Sequence, residues 1–247
     1  MATASQVAAY RTAVDDLSVL AINELNNALL ALDGVDPRKV RNTLIAAFPE
    51  LIGPYITTAG ELTAVWYEDL RRAALGGTFY ATASGEVNAA QVNALVRWGV
   101  RPLFGQSDST ALSLIGGGIQ KMVAGAGRHT IDANARKDVA STSWARVARP
   151  GACKFCTMLA GRGAVYRSKE AAGLVVGSGS DRTGFDEAGK RLSGGIGGGV
   201  KASGNQALNS KFHDFCRCVA KPTFYTIGTW TDPRTGREER SLQPIAA

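Results

Sequence analysis

Cys153-Lys-Phe-Cys156 and His213-Asp-Phe-Cys216-Arg-Cys218 hold every cysteine of this chain and one of its two histidines. Thiolate and imidazole are the soft ligands that Zn²⁺ prefers. A two-residue gap lets two thiolates reach one ion from a tight turn, and His-x-x-Cys can do the same from the other side. Five candidate ligands face four tetrahedral positions, so one is spare. The sequence does not say whether it is His213, Cys216 or Cys218. Two other readings stay open beside the metal. One is a disulfide, either Cys153–Cys156 or a long-range pair; the other is ordinary reduced cysteines. The first residues are polar and helical in pattern, not basic and then apolar, so no secretory leader is expected. Synthesis in a reducing cytosol favours metal over disulfide, although a particle that later leaves the cell can still oxidise.

Other chemistry finds little support in the residues. A catalytic serine or cysteine needs a base at hand, and the only histidine outside the cysteine elements is His129, with Asp132 three positions on. A Ser/His/Asp site built on that pair lacks a Gly-x-Ser-x-Gly elbow, and a histidine beside a helix start is more often structural or exposed. Zinc hydrolysis would need His-Glu-x-x-His or an equivalent with an open position, and none is present. Pro150-Gly-Ala-Cys153-Lys-Phe-Cys156 looks superficially like a nucleobase-deaminase signature. That signature also requires an upstream His-x-Glu, which His129-Thr130-Ile131 does not supply. The glycine-rich stretch matches no phosphate loop, having neither Gly-x₄-Gly-Lys-Ser/Thr nor a preceding apolar strand.

The elements that must position these residues divide the chain in two. Residues 1–148 read as a helical region. Val7, Val14, Leu17, Ile22, Leu25 and Leu29 keep near-helical spacing, with Gly34 as a stop. Asp36 followed by Pro37 opens a second helix, whose stripe of Val40, Leu44, Ile45 and Phe48 ends at Pro49. Thr58-Ala-Gly-Glu61 matches a capping box and predicts a third helix through Leu62, Val65, Trp66, Leu70 and Ala73 to Gly76-Gly77. A fourth carries Val92, Leu95, Val96 and Trp98. A fifth carries Leu112, Ile115, Ile119, Met122 and Val123, with Gly116-Gly117-Gly118 predicting a kink or close packing. The pattern predicts a last helix from Thr130 to Ala148, burying Ile131, Val139, Trp144 and Val147, and places His129 between helices.

Arg149-Pro150-Gly151 ends that pattern. Residues 149–247 read as a smaller module, with a loop at about 173–204 that holds eleven glycines and is expected to be exposed and readily proteolysed. A short strand is predicted at Val219–Ile227. A turn at Asp232-Pro-Arg-Thr-Gly236 closes a hairpin from about 223 to 242, followed by a frayed tail. The fold class expected is α+β: a mainly helical N-terminal region followed by a small Cys/His-stapled α+β module. No apolar run approaches the ~20 residues needed to cross a bilayer. Residues 1–100 carry 7 basic and 10 acidic side chains, a net −3, and residues 101–247 carry 21 and 11, a net +10. The basic half suits nucleic acid or an acidic partner, although its charges are dispersed as on an ordinary solvated surface.

The stretch Trp144-Ala-Arg-Val-Ala-Arg-Pro-Gly-Ala-Cys153-Lys-Phe-Cys156-Thr-Met-Leu-Ala-Gly-Arg-Gly-Ala-Val-Tyr166 resembles the signature of minor head proteins of tailed bacteriophages. Phe212-His213-Asp-Phe-Cys216-Arg-Cys218-Val-Ala-Lys-Pro-Thr-Phe resembles the closing element of the same group, the Mu F-like head morphogenesis family in the form common in phages of actinobacteria. The specific match spans about residues 128–225; the helical first half is similar only in layout. The resemblance implies a minor capsid protein, made in the host cytoplasm and residing inside the virion head near the portal. Its implied partners are the portal protein, capsid or scaffold protein, and packaged double-stranded DNA, with no membrane. Some relatives carry the label of capsid maturation protease, but no matching nucleophile, base and acid line up on this sequence, so an enzyme is not the favoured reading. The third reading is a zinc-dependent nucleic-acid-binding module, which would gather Arg146, Arg149, Lys154, Arg162 and Arg167 on one face. The expected cofactor is structural zinc, held by four of Cys153, Cys156, His213, Cys216 and Cys218.

Overall fold

A computed structural model describes residues 2–107, 109–152, 156–157, 160–161 and 218–245. Four helices, α1 (Ala4–Ala31), α2 (Pro37–Leu75), α3 (Ala89–Gly99) and α4 (Ala111–Lys137), precede an antiparallel sheet of β1 (Ser141–Val147), β2 (Val219–Thr231) and β3 (Glu238–Pro244). The fold class is therefore α+β, as expected. The glycine-rich segment at 173–204 lies outside the described residues, so its expected exposure and proteolysis receive no placement here.

Local signals set most helix starts. Thr3 and Gln6 form a reciprocal capping box at α1, and the Asp36 carboxylate accepts the amides of Arg38 and Lys39 at 3.0 and 3.2 Å ahead of Pro37. The structure departs from the sequence reading at Pro49, where no helix ends. A single α2 runs through Pro49 and Pro54, so Thr58 lies inside a helix and caps nothing. An interior proline removes one helical bond and presses on the carbonyl four residues back, costing about 3 kcal/mol. Here both prolines face solvent, where water can reach the carbonyls they strand. The opposite face carries Phe48, Ile52, Ile56, Ala59, Tyr67 and Leu70 into the core at helical spacing. Breaking the helix would throw one end of that stripe out of register.

α4 is the central element and packs against α1, α2, α3, β1 and β2. Its triple glycine lies within one continuous helix and serves close packing. A Cβ on Gly118 would fall 2.2 Å from Leu95, and one on Gly127 would fall 2.5 Å from the Tyr10 hydroxyl.

The predicted helix from Thr130 to Ala148 is corrected. α4 stops at Lys137, and Ser141–Val147 is a strand, so part of the region read as helical belongs to the sheet. Asp138 makes the change of direction. Its carboxylate accepts the Ala140 amide at 3.1 Å, Arg71 Nε at 2.7 Å and the Tyr67 hydroxyl at 3.2 Å. Those bonds hold the chain off the helical path and leave Val139 94% exposed, against the burial expected for it. Trp144 is buried, as expected, but from a strand.

β1 pairs with the first half of β2, Val147 opposite Val219 and Ser141 opposite Phe224. β3 pairs with the second half, from Tyr225 opposite Pro244 to Thr231 opposite Glu238. Pro222, which has no N–H to offer, thus lies where β2 pairs on one side only. The hairpin turn follows its sequence signal: Asp232 accepts from the Arg234 amide at 2.8 Å, and Gly236 takes φ +66°.

Candidate functional site

Cys218 immediately precedes β2, opposite the residue that follows β1. From the end of β1 the chain turns at Arg149–Ala152, where the Ala152 amide bonds the Arg149 carbonyl at 3.1 Å and Gly151 takes φ +71°. That turn returns the chain to a helical turn carrying Cys156. Cys156 and Cys218 are each 2% exposed and share one buried cluster with Ala148 and Ala152. One member of each cysteine element has thus been brought to the same place from opposite ends of a long intervening segment. Cys153, His213 and Cys216 lie outside the described residues. Among the described residues, no three Cys, His, Asp or Glu side chains converge in the manner of a metal site.

Two arginines of the helical bundle hold the backbone beneath this cluster. Arg128, buried in α4, donates from Nη1 to the Cys218 carbonyl at 3.0 Å and from Nη2 to the Lys121 carbonyl at 3.1 Å. Gly125 lies beside that guanidinium, where a Cβ would stand at an ordinary contact distance of 3.7 Å from Nη2. Arg11 of α1 donates to the Ala148 carbonyl at 3.2 Å. Beside Arg128, the Tyr10 ring stacks on Trp66 at 4.0 Å, and its hydroxyl lies 2.7 Å from that of Thr63. The Thr63 hydroxyl donates to the Ala59 carbonyl at 2.6 Å, so Tyr10 is the donor of the pair. Burial pushes the Tyr10 phenol up to about 12, with the Arg128 charge opposing. Nothing in the periodicity singled out Arg128 or Arg11. The available signal was an arginine flanked by small residues, Gly125-Ala-Gly-Arg128, in an otherwise apolar helix.

His129 sits within α4 on its exposed side and not between helices. Asp132, its suggested acidic partner, points into the core. There it accepts Trp144 Nε1 at 3.4 Å and forms an ion pair with Arg136. Arg146 is buried while Arg149 is exposed, so these two do not share a surface as the nucleic-acid reading required. Lys154, Arg162 and Arg167 lie outside the described residues.

A second polar set, also missed in the sequence, straps the extended segment 79–88 into the groove between α2 and α4. Asn134, fully buried, accepts the Thr82 amide and donates to the Thr82 carbonyl, both at 2.8 Å. Thr130 accepts the Ser84 amide at 2.9 Å, and Glu68 accepts the Ala81 amide at 2.7 Å. Gly60 admits the strap, because a Cβ there would fall 2.1 Å from the Ser84 carbonyl oxygen.

The architecture defines a helical α+β protein whose small sheet presents a buried cysteine pair where it meets the bundle. No helix among the described residues is long and apolar enough to cross a membrane. The chain belongs to the VG15 protein family, whose model matches residues 1–234 and so takes in the helices, both cysteine elements and most of the hairpin turn. This is a family of phage-encoded proteins, which makes the chain a phage protein. No curated protein and no solved structure matches it.

Proposed function

We propose that this phage protein is a minor capsid protein of head morphogenesis. It acts inside the head at or near the portal, touches capsid or scaffold protein, and contacts packaged double-stranded DNA through its basic C-terminal half. Its C-terminal module is tied by one structural Zn²⁺ held by four of Cys153, Cys156, His213, Cys216 and Cys218. The observation that supports this reading is the shared burial of Cys156 and Cys218, since these come from the two sequence elements that resemble those of minor head proteins. Zinc binding there would double as folding energy, because the intervening segment is poor in core-forming residues.

Two measurements test the reading. Purified virions should contain the protein at low copy number, cross-linkable to the portal, and protein isolated without chelator should carry about one zinc per chain. Co-expression with capsid and scaffold proteins, read by intact mass, addresses the enzyme alternative, and the change His129→Ala should leave any capsid processing unaltered. Cleavage that depends on this protein and vanishes with His129→Ala while the fold survives would replace the assembly role with a protease. Absence of the protein from assembled heads would remove the structural role altogether.

A further inference from the structure

The turn that joins α1 to α2 lies beside a short 3₁₀ turn, Arg101–Phe104, and the start of α4, and between them a cavity of about 340 Å³ stays open. Leu29, Leu32, Val35, Val40, Leu103 and Leu112 give it an apolar wall. The apolar surface does not stop at the cavity. Val35 and Leu103 line it while 38% and 40% exposed. Leu30 and Phe104, next in the chain to lining residues, are 66% and 37% exposed. Local structure does not require these side chains. Gly34, at φ +72°, and the Asp36 cap make the α1–α2 turn. Pro102 and Gly105, the latter at φ +69°, make the 3₁₀ turn. A polar residue at 30, 35, 103 or 104 would serve the backbone as well. Side chains and cavity walls together expose on the order of a few hundred Å² of apolar surface, the size at which a patch marks an interaction site.

We infer that this end of the bundle is the interface of a two-fold dimer, with a second copy of the chain as its occupant. A two-fold contact needs a self-complementary patch, in which knob and hole lie on the same surface. Here the cavity is the hole, and Leu30 and Phe104 beside it are the knobs. The charges meet the same condition. Asp33 lines the cavity, and Arg38 and Lys39 stand exposed just beyond Pro37 on its rim. Two cations thus occupy the first turn of α2, at the end of a helix whose dipole favours anions. Asp36 is already committed to their backbone amides, and the turn itself holds no acidic residue. The second copy's Asp33 supplies a carboxylate there, and the reciprocal pair forms across the axis. A patch of one charge sign would instead repel its own image. The area agrees. An interface of about 800 Å² per subunit, about 65% apolar, asks for about 500 Å² of apolar surface. The patch stands at the lower edge of that requirement, which corresponds to a micromolar dimer and not to an obligate one.

Sedimentation velocity on the full chain, with reductant present to exclude inter-chain disulfides, reads the state of association across about 1–200 µM. The expected result is a monomer that passes to a closed dimer as concentration rises. Leu30→Glu and Leu103→Glu should each weaken the dimer by about tenfold or more. The melting temperature of the dilute monomer should hold in Leu30→Glu, because that side chain is mostly exposed. Val65→Glu, at an exposed apolar position far along α2, should dimerise as wild type does. If Leu103→Glu fails to fold, Leu30→Glu decides. A chain that stays monomeric throughout the range overturns the inference. So does growth beyond a dimer, which a two-fold contact does not allow, and so does a dimer that survives the Leu30→Glu change. Capture of portal or capsid protein by this face, on a chain that itself remains monomeric, would assign the patch to another partner and overturn the second copy as its occupant.

Discussion

Gly116→Ala and Gly127→Ala, identical changes on the same helix, should move stability in opposite directions. A glycine inside a helix is less favourable than alanine by about 0.5–1 kcal/mol. At Gly116 nothing opposes that gain, because the new methyl would meet Ile22 at 3.6–3.7 Å, an ordinary contact. Its burial adds up to about 0.8 kcal/mol, so Gly116→Ala should stabilise by about 1 kcal/mol. At Gly127 the methyl would stand 2.5 Å from the Tyr10 hydroxyl and 2.8 Å from the Thr63 hydroxyl. Neither is free to retreat, since Tyr10 is stacked on Trp66 and Thr63 is bonded to the Ala59 carbonyl. Overpacking of this kind costs about 1–3 kcal/mol, and a Tyr10 hydroxyl pushed off Thr63 costs about 1–3 kcal/mol more. Against the gain in propensity, Gly127→Ala should destabilise by about 1–5 kcal/mol. Urea unfolding at equal m-values reads both, and melting temperature should shift by about 2–4 °C per kcal/mol in a chain of this size. The reasoning fails if the two variants move in the same direction, or if Gly127→Ala lies within about 0.5 kcal/mol of wild type.

Two further outcomes follow from the buried polar groups. The Tyr10 phenol is pushed up to about 12 by burial, while in the unfolded chain it ionises near its ordinary value of about 10. Its contribution is therefore fully present below about pH 10 and is lost as pH rises towards about 12, by about 2–3 kcal/mol. Urea midpoints measured across that window should fall more steeply for wild type than for Tyr10→Phe, and parallel slopes would contradict the assignment. Asn134→Ala removes three hydrogen bonds of 2.8 Å, two to the backbone of Thr82 and one to the Thr130 carbonyl, and should cost about 2–4 kcal/mol. Amide exchange at residues 81–84 should accelerate more than in the core of α1, whereas a uniform change across the chain would show that the strap is held by something else.

Features closed by neighbours in the chain were legible in the sequence. The Asp36-Pro37 start of α2, the apolar stripes of α1 and α4, and the Asp232–Gly236 turn each depend on bonds or spacings a few residues long, which any tertiary setting leaves in place. What lay beyond the sequence was decided by distant partners. Pro49 read as a helix end until the core stripe of α2 and the exposure of Pro49 and Pro54 show why the helix continues through both. Ser141–Val147 kept enough apolar spacing to pass for a helix, and only Asp138 with its Arg71 and Tyr67 contacts, together with pairing to β2, makes it a strand. Arg128 and Asn134 look like ordinary helical polar residues in the sequence. Their hydrogen-bond partners, the Cys218 carbonyl and the Thr82 backbone, lie far along the chain, so tertiary packing alone set their roles.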